Sequence, residues 1–300
     1  MPSRPWRIER QSQDQLSLWR IHNGHAELRV AEQGAQLLSY QRKNEPPLIW
    51  LSEEAAYQTG QSVRGGAPIC WPWFGDLTRN PAAVQAMHLQ PASAPFHGLV
   101  RALPWQLEDI SGVDEDIKLG FSLAASSLAD WPHAVTPRLD ITLGERLTLS
   151  LSSHNHGALP VALSQALHSY LAVSDIRQVS VHGLEDCPYL DTLEGWDLRQ
   201  QQGPLRFSGE TDRIYQKIPA QLRVHDPLWK RQICLASSGS HSAIVWNPWI
   251  DKAQRLSQFA KDAWQRMLCI ETANVMDDAI SLPAHAQHQL SLSLWTEPLA

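Results

Sequence analysis

The sequence predicts an all-β fold, a large antiparallel β-sandwich formed as a single domain over residues 1–300. Three observations carry this. Many short segments alternate apolar and polar residues at the period of a strand. Turn signals rich in Gly, Asn and Pro separate them. Only residues 251–259 and 260–267 hint at helices, and neither a fixed repeat nor a linker divides the chain.

The elements follow in order. Residues 16–21, 26–30 and 35–41 read as strands, separated by Asn23-Gly24 and Gln33-Gly34. Asn-Gly between apolar runs is a strong hairpin signal. Residues 48–51 are a further apolar piece. Residues 62–105 hold a long segment that fits neither period at its centre, because Gly and Pro interrupt it. Strands resume at 103–110, 117–125, 138–143 and 146–153, with Gly144-Glu145 as the last turn. A turn cluster at 154–160 precedes a long strand at 161–173. Further strands are expected at 178–182, 206–208, 214–218, 221–224, 232–236, 243–246, 267–272 and 289–295. Thirteen tryptophans suit the core of such a sandwich. Flat rings also suit the C–H faces of a sugar, but core packing accounts for most of them.

Composition excludes several functions. A net charge of −6 with no run of five like charges argues against a nucleic-acid partner. No apolar run approaches the roughly 18 residues of a membrane span. The first fifteen residues lack the apolar stretch of a signal peptide. The expectation is a cytoplasmic monomer. Four scattered cysteines without a C-x-x-C pattern read as reduced thiols, in keeping with that compartment. There is no G-x-G-x-x-G, P-loop or G-x-S-x-G, so nucleotide cofactors and serine-hydrolase chemistry have no support. The pairs His154/His156 and His285/His288 lack a third ligand at recognisable spacing, so neither a metal nor any other cofactor is expected.

The interrupted segment is the least ordinary stretch. Trp71, Trp73 and Phe74 are too costly to leave in water, so it reads as an ordered loop. It carries Arg64, His97 and Arg101 towards a ligand. On the 161–173 strand, alternation puts His168 on one face with Ala162, Ser164 and Ala166, whose small side chains leave room above the sheet. On the 267–272 strand, Glu271 shares a face with Met267, Cys269 and Ala273. A lone carboxylate there is expensive to bury, and partial desolvation raises its pKa and improves it as a base. A half-buried structural histidine and an ion-paired glutamate are the competing readings. Asp212, just before the 214–218 strand, and Asp76, at the end of the loop, compete as carboxylates, although short acids in loops are usually turn formers.

Six pieces stand in order: VRGGAPICWPWFG, HGLVR, ALHSYL, TDRIY, VWNPW and CIETA. Together they resemble the glucose-6-phosphate 1-epimerases, or hexose-6-phosphate mutarotases, of the aldose 1-epimerase superfamily. The resemblance implies a galactose-mutarotase-like supersandwich and interconversion of the α and β anomers of a hexose 6-phosphate, with no cofactor. It implies His168 as general acid and Glu271 as general base. Arg64, Arg101, His97 and Asp212 fall on substrate-binding positions, the arginines suited to hold the phosphate. Some relatives carry a glutamine immediately before the His-Gly. Phe96 stands there in this chain, which removes one hydrogen-bond contact and leaves the sugar preference open.

Anomer exchange requires ring opening. Glu271 would take the C1 hydroxyl proton while a protonated His168 gives one to the ring oxygen. A carboxylate such as Asp212 would keep that imidazole protonated. The rival readings are an aldose 1-epimerase for free sugars and a non-catalytic carbohydrate-binding β-sandwich. A glycoside hydrolase fits less well, since it normally needs two flanking carboxylates.

Overall fold

A computed structural model of the chain describes residues 6–128 and 131–299. Residues 1–5, part of the stretch read as lacking a signal peptide, lie outside the described residues. Two large antiparallel sheets pack face to face. The nine-stranded sheet runs, in spatial order, Leu205–Arg206, Ser180–His182, Gln221–Asp226, Arg231–Ser238, Gln287–Pro298, Leu147–Asn155, Val135–Leu143, Asp116–Ser122 and Gln106–Val113. The eight-stranded sheet runs Asp197–Gln200, Pro188–Asp191, Thr211–Gln216, Ser242–Asn247, Met267–Asn274, Gln165–Leu167 and Ile69–Cys70, with Tyr170–Ala172 also pairing Met267–Asn274. Leu149, Leu151, Leu292 and Leu294 of the first sheet meet Leu167, Val245, Leu268 and Ile270 of the second in one continuous core. A four-stranded meander, Arg7–Gln13, Leu16–His22, Ala26–Ala31 and Leu37–Arg42, packs its inner face, from Ile21 to Tyr40, on the same core. The fold is thus the expected antiparallel sandwich, and Asn23-Gly24 and Gly144-Glu145 sit at the predicted hairpins.

Several elements depart from the sequence reading. Residues 161–173 are three short strands, Val161–Leu163, Gln165–Leu167 and Tyr170–Ala172. The first pairs away from the others, with Ile280–Leu282. Asp212 lies inside Thr211–Gln216 and not before it. The helical hints shrink to Trp249–Ala253 and a 3₁₀ turn at Ala263–Arg266. Residues 48–51 make only isolated bridges. Arg7–Gln13, Pro188–Asp191, Asp197–Gln200 and Ile280–Leu282 were invisible to the apolar pattern. Asp197–Gln200 is an edge strand exposed at every residue, so no face of it needs to be apolar.

The interrupted segment is ordered, as expected, but part of it serves as the edge of the eight-stranded sheet. The carbonyls of Gly66, Pro68 and Pro72 accept from the N–H groups of Tyr170, His168 and Ser164 at 2.8, 3.0 and 3.1 Å. Ala166 pairs with Cys70 in the same register. Proline has no N–H, so Pro68 and Pro72 each give the ladder an acceptor and no return bond, an arrangement found at sheet edges. Gly65 and Gly66 take φ of +106° and +72°. A Cβ on Gly66 would stand 2.1 Å from the Leu37 carbonyl oxygen. This glycine pair lets the loop pass between the meander and residues 50–52. Beyond it, Ser164 Oγ accepts from Phe74 N–H at 2.9 Å and donates to Asn80, whose amide reaches the Phe74 carbonyl at 2.8 Å.

Candidate active site

The site forms on the face of the eight-stranded sheet turned away from the core. Alternation along Met267–Asn274 sends Leu268 and Ile270 inward and Cys269, Glu271 and Ala273 outward. Pairing carries that outer face sideways: Ile244 lies opposite Glu271, Trp246 opposite Cys269, and Asp212 opposite Trp246. On the other flank Leu167 lies opposite Thr272 and Tyr170 opposite Cys269. Continuing that register across the break places His168 opposite Glu271. The strand is interrupted there because Ser169 N–H turns back to the Leu167 carbonyl at 2.9 Å, yet the register survives on both sides.

A cavity of about 460 Å³ opens over this face. Arg64, His97, His168, Asp212 and Glu271 all line it, five of the six residues expected from sequence. Arg101 does not. The chain dives behind Trp71 after His97. Leu99 N–H bonds the Trp71 carbonyl at 2.8 Å, and a Cβ on Gly98 would lie 2.1 Å from that oxygen. Arg101 therefore stands beside the buried Cys70 thiol, from where its charge reaches His97, His168 and Glu271.

His168 Nε2 and Glu271 Oε1 are 3.4 Å apart, both side chains buried. The imidazole stacks on Tyr170 with ring centres 4.9 Å apart, and the His97 ring meets it edge-on at 5.3 Å. Burial, with the charges of Arg101 and Arg64, pulls the His168 pKa down to about 3. Burial, reinforced by Asp212, pushes Glu271 well above the carboxylate range. Both effects favour the uncharged forms. These directions favour a neutral imidazole beside a protonated carboxyl and run against the expectation of a standing imidazolium kept charged by Asp212, whose charge acts on Glu271. Burial also raises Asp212, to about 6. His97 is held neutral by burial. Its Nδ1 accepts from Gly75 N–H at 3.2 Å, so its Nε2 carries the proton.

Sequence reasoning missed other parts of the wall. Arg79 and Lys252 add two cations. Arg79 lies over Trp196 at 5.5 Å, and Lys252 is 3.6 Å from Glu210. Trp196 and Trp246 are the tryptophans that reach the cavity, while Trp71, Trp73 and Trp105 are core. Phe96 is 64% exposed at the rim, its ring against His97. Asp76 caps the turn at Leu77–Arg79 through Thr78 N–H, as a turn former should, and also borders the cavity. Among the described residues, one trio of His, Cys, Asp or Glu could gather a metal ion: His168, Cys269 and Glu271. They are too far apart in sequence for a spacing rule to find. No helix among the described residues is long and apolar enough to cross a membrane.

The aldose 1-epimerase family profile matches residues 17–295. A Salmonella typhimurium protein provisionally named glucose-6-phosphate 1-epimerase is 32% identical over 88% of this chain and 85% of its own length. A protein of Cenchrus ciliaris with the same provisional name is also 32% identical, over 81% of this chain and 73% of its own. The crystal structure of a provisionally assigned mutarotase from Salmonella typhimurium superposes with a TM-score of 0.86 at 29% identity, covering 97% of this chain and 94% of that one.

Proposed function

The chain belongs to the aldose 1-epimerase family, and we propose that it interconverts the α and β anomers of hexose 6-phosphates, chiefly glucose 6-phosphate. The observation that carries the reading is His168 opposite Glu271 at 3.4 Å on the floor of a cavity walled by cations. Relatives that bear the glucose-6-phosphate 1-epimerase name support the substrate.

The proton on the pair suits the reaction. A sugar hydroxyl donating to Glu271 favours its carboxylate, and the displaced proton has His168 Nε2 as a neighbour. From that imidazolium–carboxylate form, Glu271 takes the C1 hydroxyl proton as His168 protonates the ring oxygen, and the C1–O5 bond breaks. The open aldehyde then faces the neutral pair that burial prefers. Rotation about C1–C2 and the reverse transfers close the ring on the other face. Each transfer is worth about 10²–10⁴-fold. Arg64, Arg79 and Lys252 are the cavity cations available to the phosphate, with Arg64 the best suited to a two-pronged contact. Arg101, expected as a contact, acts instead as a charge behind His168 and Glu271. His97 and Asp212 remain substrate-binding residues in this reading. One chain builds the whole cavity, which supports a monomer. Four free cysteines and a sugar-phosphate substrate support the cytoplasm.

Exchange NMR between the anomers of glucose 6-phosphate, with glucose beside it, tests the proposal. Faster exchange of the phosphate ester is expected. Equal acceleration of both sugars selects a free-sugar aldose 1-epimerase, and binding without exchange selects a carbohydrate-binding module. His168→Ala and Glu271→Gln should each lower exchange at least 10²-fold with the thermal transition retained.

A further inference from the structure

We propose that His168, Cys269 and Glu271 form a binding site for one thiophilic divalent cation, best matched by Zn²⁺, and that filling it silences the acid–base pair. The silencing rests on the catalytic reading above; the binding does not.

The sheet register builds the site. Cys269 and Glu271 are two residues apart on one strand and therefore share a face, and His168 lies opposite Glu271. One donor atom from each falls within 4.8 Å of the other two. Tetrahedral zinc holds sulfur at about 2.3 Å and nitrogen or oxygen at about 2.0–2.2 Å, which sets its donors roughly 3.3–3.7 Å apart. The His168–Glu271 separation of 3.4 Å already meets this, and the two separations to sulfur need close by no more than about 1.3 Å. All three side chains are buried, at 7%, 0% and 2% exposure.

The donors are also available. His168 Nε2 faces Glu271 Oε1, Glu271 Oε2 is buried with no hydrogen-bond partner among the described residues, and Cys269 is a free thiol. Buried polar atoms usually find a partner, so the orphaned carboxylate oxygen asks for an explanation. A cation held by Glu271 gives one. His168 and Glu271 open onto the cavity, which admits the ion and leaves a fourth position for water.

The charges balance. On binding, the thiol and Glu271 each release a proton to solvent. A divalent cation, a thiolate, a carboxylate and a neutral imidazole then sum to zero, the condition under which a charge cluster can remain buried. The thiolate selects Zn²⁺ and similar ions over Mg²⁺ or Ca²⁺, which prefer oxygen. An occupied site ties up the groups that must exchange protons with the sugar.

The test uses the full chain freed of metal by a chelator. Co²⁺ is added as a spectroscopic probe and Zn²⁺ in competition with a chromophoric chelator, with glucose 6-phosphate exchange followed in parallel. The expected results are one equivalent bound, a sulfur-to-cobalt charge-transfer band, and exchange falling at least tenfold with occupancy and recovering on chelation. Cys269→Ser should lose the band, bind Zn²⁺ about 100-fold more weakly and keep its exchange activity. Cys70→Ser, at another buried thiol, should keep the band. X-ray absorption of the zinc-loaded wild type should show one sulfur and otherwise nitrogen and oxygen neighbours, a readout that stands even if a cysteine variant fails to fold. Absence of a sulfur neighbour, or unchanged binding by Cys269→Ser, would overturn the site and move the ion to surface histidines. Sulfur ligation in a chain that never exchanges anomers would keep the metal site and discard the catalytic reading.

Discussion

At the scale of single residues the site is a set of ionisable groups held against their ordinary charge. Asp212 offers a separable case. Its folded pKa of about 6 lies above its unfolded value of 3.8, so the folded chain binds that proton more tightly. Stability from this group is highest below about pH 4 and falls as pH rises to about 6. His168 runs the other way. Its pKa is depressed in the fold, so stability is lost as pH falls from the unfolded value near 6.5 towards 3. Comparing wild type with Asp212→Asn isolates the first effect. The variant should be more stable at pH 7.5, by up to about 3 kcal/mol from a shift of about two pKa units at 1.36 kcal/mol each. That gap should vanish near pH 4. A gap that persists at pH 4 would assign the gain to packing. Exchange activity should fall, the usual cost of removing a strained functional charge. His168 and Glu271 were legible because the strand period places them in strand interiors where polar groups are expensive. Arg79 and Lys252 were not, since single charges in turns look alike from sequence whether they face a ligand or water.

At the scale of elements, a residue's face outlasts a break in its strand. Residues 161–173 are not one strand, yet the register on either side of His168 is common, so the strand period gives its face. The Gly-Pro run resisted assignment because Pro68 and Pro72 meet the neighbouring strand through carbonyls alone, a pattern that hydrophobic periodicity cannot register. Gly66 is where this element is most exposed to mutation. Gly66→Ala combines a left-handed φ of +72° with a Cβ 2.1 Å from backbone. Backbone cannot yield as a side-chain tip does. The variant should therefore lose about 3 kcal/mol or more by urea denaturation, among the larger effects expected of point changes. Anomer exchange should fall with it, since Gly66 and Pro68 hold the N–H groups of Tyr170 and of His168 itself. Gly60→Ala is the control. Its φ is also positive, +82°, but nothing lies within 4 Å of the added carbon, so it should cost far less. Similar losses in the two variants would show that backbone conformation, and not the passage beneath Leu37, sets the requirement.

At the scale of the whole molecule, the chain carries a net charge of −6 yet walls its cavity with Arg64, Arg79 and Lys252. A doubly charged phosphate is repelled by the molecule at long range and attracted only near the mouth. Salt screens these two interactions unequally. The Debye length is about 10 Å at 0.1 M, so added salt first removes the distant repulsion. The close contacts inside the cavity, partly shielded from water, are affected less. The KM for glucose 6-phosphate should therefore change little between about 0.05 and 0.2 M salt, unlike a site on a uniformly basic surface, whose KM would climb steeply. Arg64→Ala removes the local attraction and keeps the distant repulsion. Its KM for glucose 6-phosphate should rise at least tenfold and improve on adding salt, while glucose, which has no charge to steer, should be untouched by both the mutation and the salt. Parallel losses on the two sugars would place Arg64 against the ring and not the phosphate. An unchanged KM in Arg64→Ala, with a raised one in Arg79→Ala or Lys252→Ala, would move the phosphate to the rim that Trp196 and Glu210 brace.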